Sequence, residues 1–152
     1  MVDEVKPVYV PALKWRQGEK LALKNLSDRL KSSIIPLIEL VNDEGDNPED
    51  LSKDLSAFWS RTAYLDVHHR PQHFARIALN NVAEYNKNID IIPVVRLDSP
   101  QIVIEGVKNV AGMYGNGFAL RIIANQGIDF SLLSEDVRLM LERLAGSRSK
   151  VD

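Results

Sequence analysis

Five short apolar runs in this chain each end on a charged residue, and a segment with helical spacing follows each run. The runs span residues 8–14, 34–39, 63–66, 91–96 and 118–121. Their final residues, about 25 to 30 positions apart, are Lys14, Glu39, Asp66, Arg96 and Arg121. A repeated apolar run with a helical segment is typical of a parallel α/β fold. In such folds the carboxyl ends of the strands meet on one side, where ligands bind, so the five charges are predicted to share one rim.

The repeat favours a closed (β/α) barrel over an open sheet. The runs are continuously apolar rather than alternating, as in parallel strands that are covered on both faces. Their spacing is close to the roughly 31 residues per unit of an eight-fold barrel. The alternative is an open doubly wound sheet, whose first turn normally carries several glycines, whereas residues 14–19 hold one. The sequence therefore predicts five βα units of a parallel barrel, forming a single partial domain over residues 1–152.

Five units do not close an eight-stranded barrel. The domain is therefore expected to be truncated before a sixth strand, either as a piece of a longer chain or as a natural short form. Unpaired edge strands tend to associate, so self-association or a partner chain is expected to cover the open edge of the sheet. Leu13, Ile38 and Val95 are expected on the inner face of the sheet, which would be left partly uncovered.

Composition excludes several classes of site and partner. The 152 residues include no cysteine, which rules out disulfides, thiolate metal sites and cysteine nucleophiles. A formal net charge of −2, with no basic patch, argues against nucleic acid as a partner. No apolar run approaches the roughly 20 residues of a membrane-spanning helix, so no membrane partner is expected and a cytoplasmic location is the default expectation.

The charged strand ends are the main candidates for a functional site. Lys14, Arg96 and Arg121 suit an anionic group such as phosphate or carboxylate, Arg through paired hydrogen bonds and Lys as a point charge. Glu39 and Asp66 are the candidate catalytic acid and base. The alternative is a structural network in which these charges neutralise one another. If the rim is functional, replacing Arg121 by methionine is expected to leave stability unchanged or to raise it.

Two neighbouring segments add further candidates. Trp15 and Arg16 follow the first strand and are candidates to stack on or clamp a ligand. Equally, Trp15 suits covering the mouth of the barrel or packing against a neighbouring loop. No cofactor is predicted. A divalent cation held by Glu39, Asp66 and His68 is an alternative, because Asp66 and His68 point to the same side of an extended strand. Against it, adjacent histidines in a loop are often surface residues.

A motif in the first forty residues resembles a known family signature. It consists of Tyr9, Pro11, Leu13, Lys14, Gly18, Glu19, Ala22 and Leu23, followed by residues 35–39. This pattern resembles the N-terminal signature of the beta-protein family of tailed phages and bacteria, whose members have no established activity. Members of that family are generally longer and look barrel-like. The resemblance therefore implies a barrel fold, a missing C-terminal part and a phage or mobile-element context, but no reaction.

Two functional classes follow from these observations. The first is a barrel enzyme or small-ligand binder that acts on an anionic molecule at the carboxyl ends of the strands. The second is a phage- or defence-associated protein-interaction module without catalytic activity, whose rim charges are structural. The fold alone does not decide between them, since barrels host many functions.

Overall fold

Parallel strands and helices alternate in the computed structural model, which describes residues 9–41, 48–86, 89–123 and 129–145. Each predicted apolar run contains a strand, and helices follow each strand. The elements are β1 (Ala12–Lys14), α1 (Gln17–Asn25), α2 (Asp28–Lys31), β2 (Leu37–Glu39), α3 (Pro48–Phe58), β3 (Ala63–Asp66), α4 (Gln72–Tyr85), β4 (Ile91–Arg96), α5 (Gln101–Tyr114), β5 (Ala119–Arg121) and α6 (Phe130–Ala145).

The five strands form one sheet whose order is β1-β2-β3-β4-β5, and every neighbouring pair is parallel. The predicted α/β class and the five parallel strands are confirmed. A doubly wound sheet needs a point at which the strand order reverses. This order has none, so the doubly wound alternative is wrong. Right-handed crossovers in a consecutive order place all helices on one face, as in a barrel, although the described sheet is not closed.

The helices cover one face of the sheet through regularly spaced apolar residues. In α4 the buried positions are Ala75, Ala78, Leu79, Val82 and Ala83, which lie on one side of the helix. This helix packs between α3 and α5. The α5 helix ends at Gly115, whose φ of 71° is the left-handed conformation that glycine adopts without strain. Within the described ranges, no helix combines the length and the apolar character needed to cross a membrane.

The expectation that Leu13, Ile38 and Val95 line the uncovered inner face is wrong. Ile38 and Val95 are fully buried among helix residues, and Leu13 packs against the same cluster. Alternate residues such as Leu37 and Tyr64, which point the other way, are only half-buried. The reason is the two-residue period of a strand: each terminal charge lies on the helix-free face, so the residue before it points to the helices.

Candidate functional site

All five predicted charges are the last residues of their strands, which confirms that they share one rim. The register aligns Lys14 with Glu39 and Glu39 with Asp66, and it aligns Arg96 with Arg121. Alternation within each strand then puts every one of them on the face opposite the helices. The local sequence decides this placement, because an apolar run and a single terminal charge set both the strand end and the face. The strands end as follows: β1 at Lys14, β2 at Glu39, β3 at Asp66, β4 at Arg96 and β5 at Arg121.

Four of the five charges form one hydrogen-bonded group, called here the strand-end cluster: Glu39, Asp66, Arg96 and Arg121. Arg96 donates from Nε and Nη2 to Oδ2 of Asp66, at 3.0 and 2.8 Å. Arg121 donates from Nη1 to the same oxygen at 2.9 Å and also to Oε1 of Glu39. Nη2 of Arg96 lies 3.7 Å from that Glu39 oxygen. The cluster therefore contains two carboxylates and two guanidinium groups, with Asp66 at its centre.

The cluster indicates that the sheet is curved. Arg121 is on β5 and contacts Glu39 on β2, three strands away. In a flat sheet these strands would lie about 14 Å apart, and side chains would stand parallel to one another, perpendicular to the sheet. Side chains on the concave face of a curved sheet converge instead. The contact therefore favours a barrel-like curvature with the charges on the inside.

Burial and pairing together determine the electrostatics of the cluster. Asp66 is 1% exposed, Arg96 6% and Glu39 8%. Burial by itself raises the pKa of Asp66, but hydrogen bonds from the His68 N–H, Arg96 and Arg121, with the charge of Arg96, bring it below its ordinary value. Burial lowers the pKa of Arg121, and its bonds to Glu39 and Asp66 more than reverse this, so that pKa is raised. Asp66 and Arg121 are therefore both held in their charged forms.

The lowered pKa of Asp66 predicts an acid-sensitive fold. A carboxyl whose pKa is depressed in the folded state stabilises the protein above its unfolded-state pKa, and that contribution is lost as pH falls through the folded-state pKa. We expect the free energy of unfolding to decrease below about pH 4, the ordinary range of aspartate. Urea unfolding of the wild type and of Asp66→Asn would measure this. The substitution should flatten the decline between about pH 4 and 2, and an unchanged slope would contradict the prediction.

The three residues around the end of β1 stay outside the strand-end cluster. The Lys14 side chain is exposed and has no hydrogen-bond or ion-pair partner in the part of the chain that the structure describes. Trp15 is buried and packs edge-to-face on Phe58, with ring centroids 6.4 Å apart. Trp15 thus packs on the last residue of α3 rather than on a neighbouring loop, since the residue after Lys14 must point to the helix side. The ligand role of Trp15 stays a prediction. Arg16 is exposed and occupies the N-cap position of α1 without a capping hydrogen bond from its side chain.

His68 does not join the two carboxylates as the metal alternative requires. Its backbone N–H donates to Oδ1 of Asp66 at 2.9 Å, which closes a turn directly after the strand. Its ring lies against His69, and Nε2 is 3.7 Å from Asp98. Because the chain turns here, the alternation of an extended strand no longer applies to His68. Among the described residues, no three potential ligands are grouped closely enough to hold a metal ion.

A cavity of about 490 Å³ opens beside the strand-end cluster, between the ends of β4 and β5 and the first half of α6. Arg96 and Arg121 form its charged end. The sequence interpretation missed the other walls, although two isoleucines directly after a strand end are a signal that apolar residues continue past the rim. Those walls are apolar, from Leu97, Ile122, Ile123, Leu132 and Leu133, and acidic, from Asp98, Asp129 and Asp136.

Comparison with known proteins gives one match. The family model described as "Beta protein" matches residues 9–152 of the chain. No curated protein and no solved structure matches. The resemblance drawn from the first forty residues is thereby confirmed over most of the length, since the match extends through all five strands.

Proposed function

We propose that this chain, which belongs to the beta-protein family, binds an anionic group of a small molecule at its strand-end cluster. Phosphate and carboxylate are the groups that fit, because both match the planar fork of a guanidinium. Arg121 supplies the principal contact, and Arg96 lies beside it at the charged end of the cavity. The proposal requires no metal or cofactor.

One observation carries the proposal: Arg121 is fixed on one side and open on the other. Its Nη1 alone makes the bonds to Glu39 and Asp66. Among the described residues, its Nε and Nη2 have no hydrogen-bond partner, and the side chain is 24% exposed where it lines the cavity. A guanidinium that is already held by two buried carboxylates loses little conformational entropy on binding. Its two remaining donors suit bidentate recognition of an anion.

In this proposal Glu39 and Asp66 position the arginines. The proton-transfer roles predicted for these two residues stay predictions. The lowered pKa of Asp66 argues against its acting as a proton donor near neutral pH, because the group remains ionised there. Glu39 uses Oε1 for its ion pairs, and its Oε2 has no hydrogen-bond partner in the described part of the chain. That oxygen is the better candidate to accept a proton or hydrogen bond from a ligand.

An NMR titration with inorganic phosphate, and in parallel with acetate, would test the proposal. We expect saturable shifts of the Arg121 Nε–H signal in the wild type, and at least a tenfold loss of affinity in Arg121→Lys, which keeps the charge but not the fork. The matched control is Arg138→Met, an exposed arginine of α6 that pairs with Glu135 and Glu142. Equal affinities in all three proteins would overturn the proposal, and so would a wild type without saturable shifts.

A second candidate function is a protein-interaction module. The observation that favours it is the set of exposed apolar side chains at the two edges of the sheet. They include Tyr9 and Val10 beside β1, and Ile122, Ile123 and Leu132 beside β5. Contiguous exposed apolar surface commonly marks an interaction site.

A further inference from the structure

We propose that the free edge of β5 pairs with β1 of a second copy of this chain, beneath the overhanging α6. Two such contacts, related by a twofold axis, would join the copies into a closed dimer in which every strand edge is paired. The inference is independent of anion binding at Arg121. It rests on three features: the outward backbone groups of β1, the exposed apolar surface beside β5, and the opposite charges at the carboxyl ends of the two edges.

The outer edge of β1 has its backbone donors available. Hydrogen bonds to the β2 side use alternate residues: the N–H and C=O of Tyr9 bond Ser33 and Ile35, and the C=O of Pro11 accepts from Leu37 at 2.8 Å. The intervening residues, Val10 and Ala12, must then point their N–H and C=O groups away from β2. Pro11 belongs to the set that faces β2, so the N–H that proline lacks would point toward β2. Its absence therefore leaves the outer edge of β1 open to pairing. Val10 is also 42% exposed.

The outer edge of β5 lies beside apolar surface, and no strand among the described residues covers it. Ile122 and Ile123, which continue β5, are 41% and 50% exposed. Leu132 of α6, on the opposite wall of the same cavity, is 64% exposed. The far half of α6 is anchored on the body of the protein through buried Met140 and Leu144. In a parallel α/β fold, a helix in this position covers the next strand. The apolar face of α6 is therefore expected to pack on an extended chain that pairs with β5.

Charge complementarity selects β1 as that extended chain. A strand added in parallel to β5 places its carboxyl end at the rim where Asp129 and Asp136 line the cavity. The carboxyl end of β1 carries Lys14, whose side chain is exposed. Lys14 is also the one predicted rim charge that stays outside the strand-end cluster. Pairing with a second copy would bring Lys14 to the acidic wall of the cavity and add its charge to that rim.

Symmetry makes the contact self-limiting. Each copy has one β1 edge and one β5 edge, so a twofold arrangement satisfies four edges at once and leaves none for further growth. Two equivalent contacts also help to reach the buried area of about 1,000 Å² that a specific interface requires.

Sedimentation velocity of the 152-residue chain tests the proposal. The expected species at micromolar concentration has twice the 17.1 kDa mass of one chain. Val10→Pro removes an outward N–H without touching the bonds to β2, and Ile122→Lys places a charge on the β5 edge. Each variant alone is expected to be a monomer with wild-type circular dichroism. Their mixture is expected to regain a dimer, because one unmodified β5 edge and one unmodified β1 edge remain.

The matched control is Ile77→Lys, which charges an equally exposed apolar residue of α4, away from both edges. It should sediment as the wild type does. A wild type that stays monomeric at micromolar concentration overturns the proposal and assigns the edges to another partner or to further strands of a longer polypeptide. A dimer that Ile122→Lys disrupts and Val10→Pro does not also overturn it, since two β5 edges would then pair with each other.

Discussion

Replacing Asp66 by alanine is expected to lower the free energy of unfolding by about 3–5 kcal/mol, the largest loss for any single charge of the rim. Asp66 is 1% exposed and accepts hydrogen bonds from Arg96, Arg121 and the His68 backbone. Its removal leaves two guanidinium groups with only Glu39 to neutralise them, one of them deeply buried. Urea denaturation near neutral pH would measure the change. Asp98→Ala, at a largely exposed aspartate, is the matched control and should change stability by less than about 1 kcal/mol.

Arg121→Met separates a structural network from a functional rim. For a functional rim the sequence predicts a neutral or stabilising substitution, whereas Arg121 neutralises two buried carboxylates. We expect the free energy of unfolding to fall by about 2 kcal/mol, less than at Asp66 because Arg121 is partly exposed and Arg96 remains in place. A stability equal to that of the wild type would show that the network does not contribute to folding. The rim charges would then be retained for another reason.

The second large effect is expected at Ile38. Ile38→Ala should cost about 2–4 kcal/mol, because the side chain is 1% exposed and packs among residues of the helices. The adjacent Leu37 is the natural control: it lies on the same strand, points to the opposite face and is only half-buried. Leu37→Ala should cost about half as much or less. Equal losses at both positions would contradict the assignment of the two faces.

The two faces of the sheet and the ends of its strands show how far the local sequence determines this fold. An apolar run closed by a charge is a local pattern, and it located all five strands, their carboxyl ends and the shared rim. The consecutive order of the units was less certain from sequence, because a doubly wound sheet has the same local elements. What excludes that alternative is the strand order, which depends on pairing between residues 25 to 28 positions apart. A continuously apolar run does not by itself show which of its faces the helices cover. The terminal charge decides it, and places Ile38 and Val95 on the helix side.

The candidate site likewise depends partly on local sequence and partly on tertiary structure. The sequence by itself determined which charges stand at the rim, since each belongs to its own strand end. Only the tertiary structure decided that Arg121 reaches two carboxylates across the sheet while Lys14 reaches none, because curvature and position in the strand order control those distances. It also decided that Trp15 packs on Phe58, and that α6 forms the far wall of the cavity. These outcomes depend on contacts between units far apart in the chain, and neither periodicity nor residue type in a single unit specifies them.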